Sequence, residues 1–462
     1  MDAPVPTIDA PVNLPAEALR SLCCPRCPDG ALVAAGPALV CARCVRRYPF
    51  VGGVPCLVDE PALWRLTWRT RLDDYNGAVG PRLRALGAEA QSPDLLPLTR
   101  ARVQRVAAGL AAQQQHVQAL LADLTAGGEP LAGAGVQRPD ARDQLLVLEC
   151  YENVFRDWVW GQREGELMRA IVVDLFPEKP GTLAVYGAGA GRLAADVHRT
   201  LAPGATFAFD INPLPLLIAA RLLRGEELEL VEFPVAPHAA ENVVVNHHVR
   251  AAAELLPGRG LTWLLADAYR PPFAPGSLDA VLTSWFIDAP PVDLRVTAAA
   301  INRVLRPGGV WINCGPLRFR DDLSRTYVIE EVDEIVAAAA FELGTRGRHD
   351  VPYFDSPASG ARRIETVFTF AARKTGETTA PVPVPPPAAG LAPWVADPHL
   401  PVPMSPALLA LHRSSVFTAG VISRFGGQRS LADVATELAA SWSAPPAAVL
   451  DQLRALFVKV AG

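Results

Sequence analysis

Two pairs of cysteines stand out first: CPRC, with Cys24 and Cys27, is followed after thirteen residues by CARC, with Cys41 and Cys44. Two such knuckles can surround one Zn²⁺ with four thiolates, and four leave no open coordination position, so the expected metal is structural rather than catalytic. Six of the eight cysteines fall between Cys23 and Cys56, with Cys150 and Cys314 apart. With no export signal, that clustering reads as a metal site and not as disulfides, and Cys23 and Cys56 count as spare thiols. A second constellation is TLAVYGAGAGRLAADV, residues 182–197, which has the form of strand, glycine-rich turn and helix. Gly187, Gly189 and Gly191 allow a tight turn and a close approach of backbone to ligand. Asp210 closes the next strand-like run, where a carboxylate holds ribose hydroxyls; this much suits a nicotinamide dinucleotide equally well. Asp267, after a third such run, suits an adenine amine. GSLDAV then leads into a fourth strand, and NRVLRPGGVWIN reads as helix, turn and fifth strand.

These residues need a scaffold. The chain has 462 residues, enough for about two to four domains. No apolar run approaches the ~20 residues of a membrane span, and MDAPVPTIDAPVN lacks the basic and apolar regions of a secretory signal, so a cytoplasmic protein is expected. A net charge of −5 gives no basic excess for broad nucleic-acid binding. The expected fold class is α/β: a Rossmann-like, mostly parallel sheet, with a small zinc ribbon and a small C-terminal helical domain. The organisation reads as a flexible start (1–20), the ribbon (21–60), a helical connector (61–144), the α/β domain (145–374), a Pro-rich linker (375–400) and a helical end (401–462). A ribbon of about forty residues has too little core to stand unaided, so metal would supply much of its folding energy.

The ribbon resembles the small zinc-ribbon proteins related to the activator subunit of tRNA, rRNA and release-factor methyltransferases. Leu22 to Cys27, Gly30-Ala31-Leu32, the second knuckle, Tyr48-Pro49 and Gly53-Val54-Pro55 carry that likeness, which implies a structural zinc beside a methyltransferase. The order of the later motifs is similar to class I S-adenosylmethionine methyltransferases. Within them, GAGAGRLAADV, SWFIDAP, GGVWINCGPLRF, FRDW with Gly161 and Glu164, and VEFPVAPHAAEN resemble the carnosine N-methyltransferase family over residues 145–374.

That resemblance implies a methyl acceptor that is a ring nitrogen of a histidine-containing molecule. Asp288 matches the aspartate that binds the imidazole, and Tyr353 matches a substrate-pocket tyrosine; these two are the candidate catalytic residues. A carboxylate accepting one ring N–H fixes the tautomer and aims the other nitrogen's lone pair. The substrate-binding set is His238, Arg320, Phe286 and Asn313. The cofactor set for S-adenosylmethionine is Arg156, Gly187, Gly189, Gly191, Arg192, Asp210, Ile211, Asp267, Ala268 and Ser284. The chain also departs from the pattern. Arg320 replaces a histidine after GPL, FIDTA has become FIDAP, and Gly165 stands near the place of the arginine that closes the RDW motif. Arg320 either holds a carboxylate bidentately or is a solvated loop residue. The substrate pocket is therefore expected to be altered.

His247-His248 reads as a surface pair, Cys314 as a buried apolar side chain, and Trp158 and Trp160 as either packing or cofactor contacts. The end of the chain, with GGQRSLADVA, resembles small winged-helix domains of peptide-modifying systems, including the peptide chaperone of pyrroloquinoline quinone biosynthesis. Docking of a peptide or protein partner and plain helical packing both remain open there. The leading expectation is an imidazole N-methyltransferase acting on a small molecule or peptide. An RNA methyltransferase with zinc-ribbon recognition and a cofactor-binding scaffold without turnover are its rivals.

Overall fold

A computed structural model describes residues 14, 16–125, 147–256, 260–289, 292–319, 323–379, 393–396, 399–403, 420–442 and 444–458. The ribbon is built from β1 (Leu32–Ala35), β2 (Ala38–Cys41), β3 (Arg47–Val51) and β4 (Val54–Leu57), paired antiparallel in succession. Gly52 and Gly53, at φ +57° and +77°, turn β3 into β4. Two consecutive positive φ values make the mirror-image turn whose twist matches a hairpin, which is why two glycines stand there.

The α/β core begins with β5 (Thr182–Tyr186), whose run LAVY is buried on both faces. It continues through β6 (Ala205–Asp210), a hairpin of β7 (Glu227–Glu232) and β8 (Val245–Arg250), then β9 (Leu261–Ala266) and β10 (Leu278–Ser284). β11 (Leu305–Gly315), β12 (Phe341–Tyr353) and β13 (Arg363–Lys374) complete it. Among the described residues one sheet runs β1-β2-β3-β4-β9-β6-β5-β10-β11-β13-β12. The five core strands from β9 to β11 are parallel, whereas β13 is antiparallel to both β11 and β12. Continuous apolar runs such as β5 and β10 are what a parallel sheet covered on both faces requires. Helices Gln162–Asp174 and Arg192–Leu201 bring Met168, Val172, Ala194 and Val197 into one core with β5 and β10.

The ribbon is joined to this core by backbone. Cys56 and Leu57 of β4 pair in parallel with Leu265 and Ala266 of β9. Cys23 N–H donates to Pro272 C=O at 2.8 Å, and Asp59 pairs with Arg270. Cys23 and Cys56, taken as spares in the sequence, therefore both lie buried along this seam. Burial pushes the Cys23 thiol up to about 12.

The chain divides into two compact units. The first comprises Met1–Asp59, Arg82–Leu121 and Leu148–Pro385, so the ribbon shares a unit with the α/β core. The second comprises Glu60–Pro81, Ala122–Val147 and Pro386–Gly462, so the expected connector is shared between the two units. In the second unit, helices Leu431–Trp442 and Pro446–Val458 enclose Phe425, Val434, Leu438, Leu453 and Phe457. Ser430 caps the first of these helices: its Oγ accepts from Asp433 N–H at 3.1 Å, while the Asp433 carboxylate accepts from Ser430 N–H at 3.0 Å. Most of the Pro-rich linker lies outside the described residues.

Candidate active site

The strand order reverses between β5 and β10. The chain runs outward from β5 through β6 to β9, then returns to place β10 and β11 on the other side. In parallel sheets, ligands bind beyond the carboxyl ends of the strands at such a reversal. All the residues singled out as cofactor contacts between Gly187 and Ser284 follow or end β5, β6, β9 and β10 at that edge.

The glycine turn is specific at each position. Gly187, Gly189 and Gly191 have φ of +63°, +53° and +80°. A Cβ on Gly187 would stand 2.3 Å from the Phe286 ring, and one on Gly191 would stand 2.6 Å from Trp263 and 2.8 Å from Ala219. A Cβ on Gly189 would meet nothing nearer than 3.9 Å, so that side of the turn is open to a ligand. Asp210 Oδ2 accepts from Gly189 N–H and Oδ1 from Asn212 N–H, each at 2.9 Å. Burial raises its carboxyl above the ordinary range, against the pull of those N–H groups. Beside it, Ile211 exposes 46% of its surface, an apolar patch of the kind a ring would cover. Asp267 accepts from Tyr269 N–H at 2.9 Å, and burial raises its carboxyl too. Ala268 is buried, and the buried Ser284 Oγ lacks a hydrogen-bond partner among the described residues. An open glycine, two backbone-anchored carboxylates and an orphaned hydroxyl fit a nucleoside-bearing cofactor.

The segment Arg156–Trp160 forms a π-turn closed by Gly161 N–H donating to Arg156 C=O at 2.8 Å. Such turns recur at functional sites because they re-aim side chains. Trp158 Nε1 donates to Ala190 C=O at 2.7 Å, and Arg192 N–H contacts Asp157 Oδ2 at 3.4 Å, so the π-turn holds the glycine turn directly. Arg156 is paired with Asp157 at 2.8 Å and with Glu164 at 3.6 Å.

Burial pushes the Glu164 carboxyl up to about 7, although the Arg156 charge opposes the shift. A carboxyl whose folded pKa exceeds its unfolded value binds its proton more tightly when folded. Its contribution therefore falls as pH rises from the unfolded value of about 4.3 towards 7. Glu164→Gln is accordingly expected to gain about 1–3 kcal/mol on the parent between about pH 5 and pH 8, read by urea unfolding. Parallel pH profiles for the two proteins would remove this assignment.

At the end of β10, Asp288 is 7% exposed, and its Oδ2 accepts from Arg318 N–H at 2.6 Å. Trp285, at φ +53°, stacks on Tyr353 with ring centroids 4.3 Å apart. Phe354, also at φ +53°, lies edge-on to Tyr353 at 4.5 Å and contacts Trp160 at 6.1 Å. Positive φ at non-glycine residues is a strain that clusters at functional sites. Arg363 lies 4.4 Å from the Tyr353 ring centroid and Arg156 lies 5.7 Å away, while burial raises the Tyr353 hydroxyl.

Of the four residues expected to bind substrate, three are described. Asn313 is fully buried within the sheet; its Oδ1 accepts from Thr283 and its Nδ2 donates to Phe368 C=O at 3.3 Å, so its amide serves the core. The Phe286 ring covers Gly187 and lies edge-on to Tyr186 at 6.2 Å, on the cofactor side. His238 is exposed, 3.4 Å from the Asn242 amide. Arg320 lies outside the described residues. The pair His247-His248 is not a surface pair: His248 faces outward, but His247 is 17% exposed and bonds the buried Glu232 at 2.7 Å. Period-two alternation along β8 was the signal that separates them.

Residues 238–313 match the family model of a methyltransferase domain. With the sheet order above, and β13 antiparallel among parallel strands, that match decides the fold. It is the Rossmann-like fold of a methyltransferase domain. A carnosine N-methyltransferase of Dictyostelium discoideum is 24% identical over 198 residues, 38% of this chain and 41% of that protein. The chain thus spans about two fifths of the curated relative it matches. Among solved structures, the complex of a Haloferax volcanii methyltransferase activator with a putative methyltransferase aligns at 16% identity, covering 50% of this chain and 96% of that one, with a TM-score of 0.33. The N-methyltransferase NodS of Bradyrhizobium japonicum aligns at 11% identity over 46% of this chain and 98% of its own, with a TM-score of 0.31.

The methyltransferase turn makes a paired prediction. Gly191→Ala adds a positive-φ penalty and a clash, together about 2–4 kcal/mol of destabilisation by chemical unfolding. Gly189→Ala pays only about 1 kcal/mol of strain but puts a methyl group on the open side, so S-adenosylhomocysteine affinity falls more than stability does. Equal losses in both variants would contradict the assignment of the open side.

Proposed function

We propose that the methyltransferase domain moves a methyl group from S-adenosylmethionine to an imidazole nitrogen of a histidine-containing small molecule or peptide. The observation that carries this reading is Asp288, a carboxylate buried at the strand-order reversal and held by Arg318 N–H. The cofactor, when bound, supplies an electrophilic methyl on a good leaving group, so the chain's task is positioning and charge. Gly189, Asp210, Asp267 and Ser284 would seat it. Asp288 would accept the acceptor's ring N–H, aim the opposite lone pair in line with the methyl, and stabilise the imidazolium charge that develops. The stacked rings of Tyr353 and Trp285 would form an aromatic wall of the acceptor site. The Dictyostelium relative, named for carnosine methylation, supports the substrate class.

The four sulfurs of Cys24, Cys27, Cys41 and Cys44 lie within 4.8 Å of one another, which fits one tetrahedral ion, and we assign it as a structural Zn²⁺. No helix among the described residues is long and apolar enough to cross a membrane. The C-terminal helices, on the strength of their sequence pattern, are proposed to dock a peptide or protein partner. Incubating the purified protein with S-adenosylmethionine and a panel of histidine dipeptides and histidine peptides tests the function. A mass gain of one methyl group is expected, and no gain with any member would sink the imidazole reading.

A further inference from the structure

A pocket of about 330 Å³ lies against the hairpin β7–β8 and the π-turn, lined by Trp160, Glu232, Asn242, Val245 and His247 together with residues 356–358. Pockets of roughly 300 Å³ and above take small ligands when a few polar groups converge in apolar walls. Here the polar groups form an ordered chain. Trp160 Nε1 donates to Glu232 Oε1 at 3.1 Å, and His247 Nε2 bonds Glu232 Oε2 at 2.7 Å. The side chains of Glu232 and His247 are 8% and 17% exposed. A carboxylate on Nε2 fixes that nitrogen as the donor, so the neutral ring presents Nδ1 as an acceptor. Among the described residues Nδ1 has no hydrogen-bond partner. The Phe155 ring, 5.4 Å from the imidazole, holds it from behind.

The electrostatics favour a cation. Glu232 is the acidic side chain of the lining, and nearby Glu152 has its carboxyl raised by burial and by Glu232, with the Arg363 charge opposing the shift. The guanidinium groups of Arg156 and Arg363 pack on Phe354 and Tyr353, two members of an aromatic wall. That wall, Trp160–Phe354–Tyr353–Trp285, runs from the pocket to the residue preceding Phe286, whose ring covers the glycine turn. Three ring contacts in succession thus link the pocket to Trp285, and the pocket contains none of the cofactor contacts.

We propose that this pocket binds a protonated primary amine, the non-reacting end of the methyl acceptor, with His247 Nδ1 accepting its N–H and Glu232 supplying the counter-charge. This deepens the function proposed above by naming the chemistry of the acceptor's far end. Asn242, 3.4 Å from His238, gives that exposed histidine a place at the rim.

The test uses the full chain loaded with S-adenosylhomocysteine and carrying ring-¹³C histidine. The His247 signal is assigned by its loss in His247→Asn. β-Alaninamide, an amine without an imidazole, is expected to shift that signal saturably, and its N-acetyl derivative is not. Glu232→Gln should weaken the amine's binding about tenfold or more while leaving S-adenosylhomocysteine affinity unchanged. An unmoved His247 signal, or equal responses to the amine and its acetyl derivative, overturns the proposal in the unmutated protein. If histidine dipeptides are not methylated yet the amine still shifts His247, the proposed function fails and this site stands. If free and N-acetylated dipeptides are methylated equally well, with His247 silent, the function stands and this site fails.

Discussion

Replacing Asp288 by alanine is expected to lower methyl transfer to a histidine dipeptide by about 10²- to 10⁴-fold, with S-adenosylhomocysteine affinity nearly unchanged. The expectation rests on position. Asp288 is buried beyond β10, outside the cofactor set, and one of its oxygens is pinned by Arg318 N–H at 2.6 Å. A pinned carboxylate needs no reorganisation when imidazolium charge develops, which is where preorganised charge acts most strongly. Asp288→Asn keeps the shape and removes the charge, so it should fall nearly as far. Single-turnover transfer followed by mass, with calorimetric titration of S-adenosylhomocysteine as the folding control, separates chemistry from structure. Undiminished transfer in Asp288→Ala would refute the role given to this residue.

The second large effect concerns the metal. Structural zinc contributes about 10–16 kcal/mol in small ribbon peptides, as much as or more than the ~5–15 kcal/mol by which a whole domain is stable. Chelation, or Cys24→Ser, is therefore expected to unfold the ribbon and to remove β4 from β9. Leu57 pairs with Ala266, and Asp267 is the next residue along β9's exit. Losing the pairing should loosen Asp267 and weaken S-adenosylhomocysteine binding about tenfold or more, alongside one equivalent of zinc released per chain. Arg43→Ala serves as the control, because it breaks an exposed ion pair with Asp29 that solvent screens, and it should leave zinc content and cofactor binding unchanged. Unaltered cofactor binding in fully demetallated protein would show that the seam does not support the site.

Residues that act next to one another in the chain were the legible ones. The glycine turn and Asp267 follow strands and Asp210 ends one, and strand ends are visible as apolar runs closed by turn residues. The two cysteine knuckles were legible for the same local reason. The seam between β4 and β9 was not, because it pairs residues more than two hundred positions apart and no local pattern encodes that register. Asn313 was misjudged because a motif resemblance does not say which face of a central strand a side chain takes. The sheet turns it towards Thr283 and Phe368. His247 reads as a surface residue and Glu232 is not singled out, because the two meet only when β7 and β8 pair, with Glu232 opposite Val245.

The parallel pairing of Cys56 and Leu57 with β9 also has a consequence for how the domain behaves on dilution. An uncovered outer strand presents unpaired amide groups that invite other chains. Here the covering strand belongs to the same polypeptide, so its local concentration is fixed by the connecting chain, whatever the protein concentration. A cover carried on a separate subunit would dissociate in dilute solution and re-expose that strand. This one cannot diffuse away, and cofactor affinity should be the same at nanomolar and at micromolar protein.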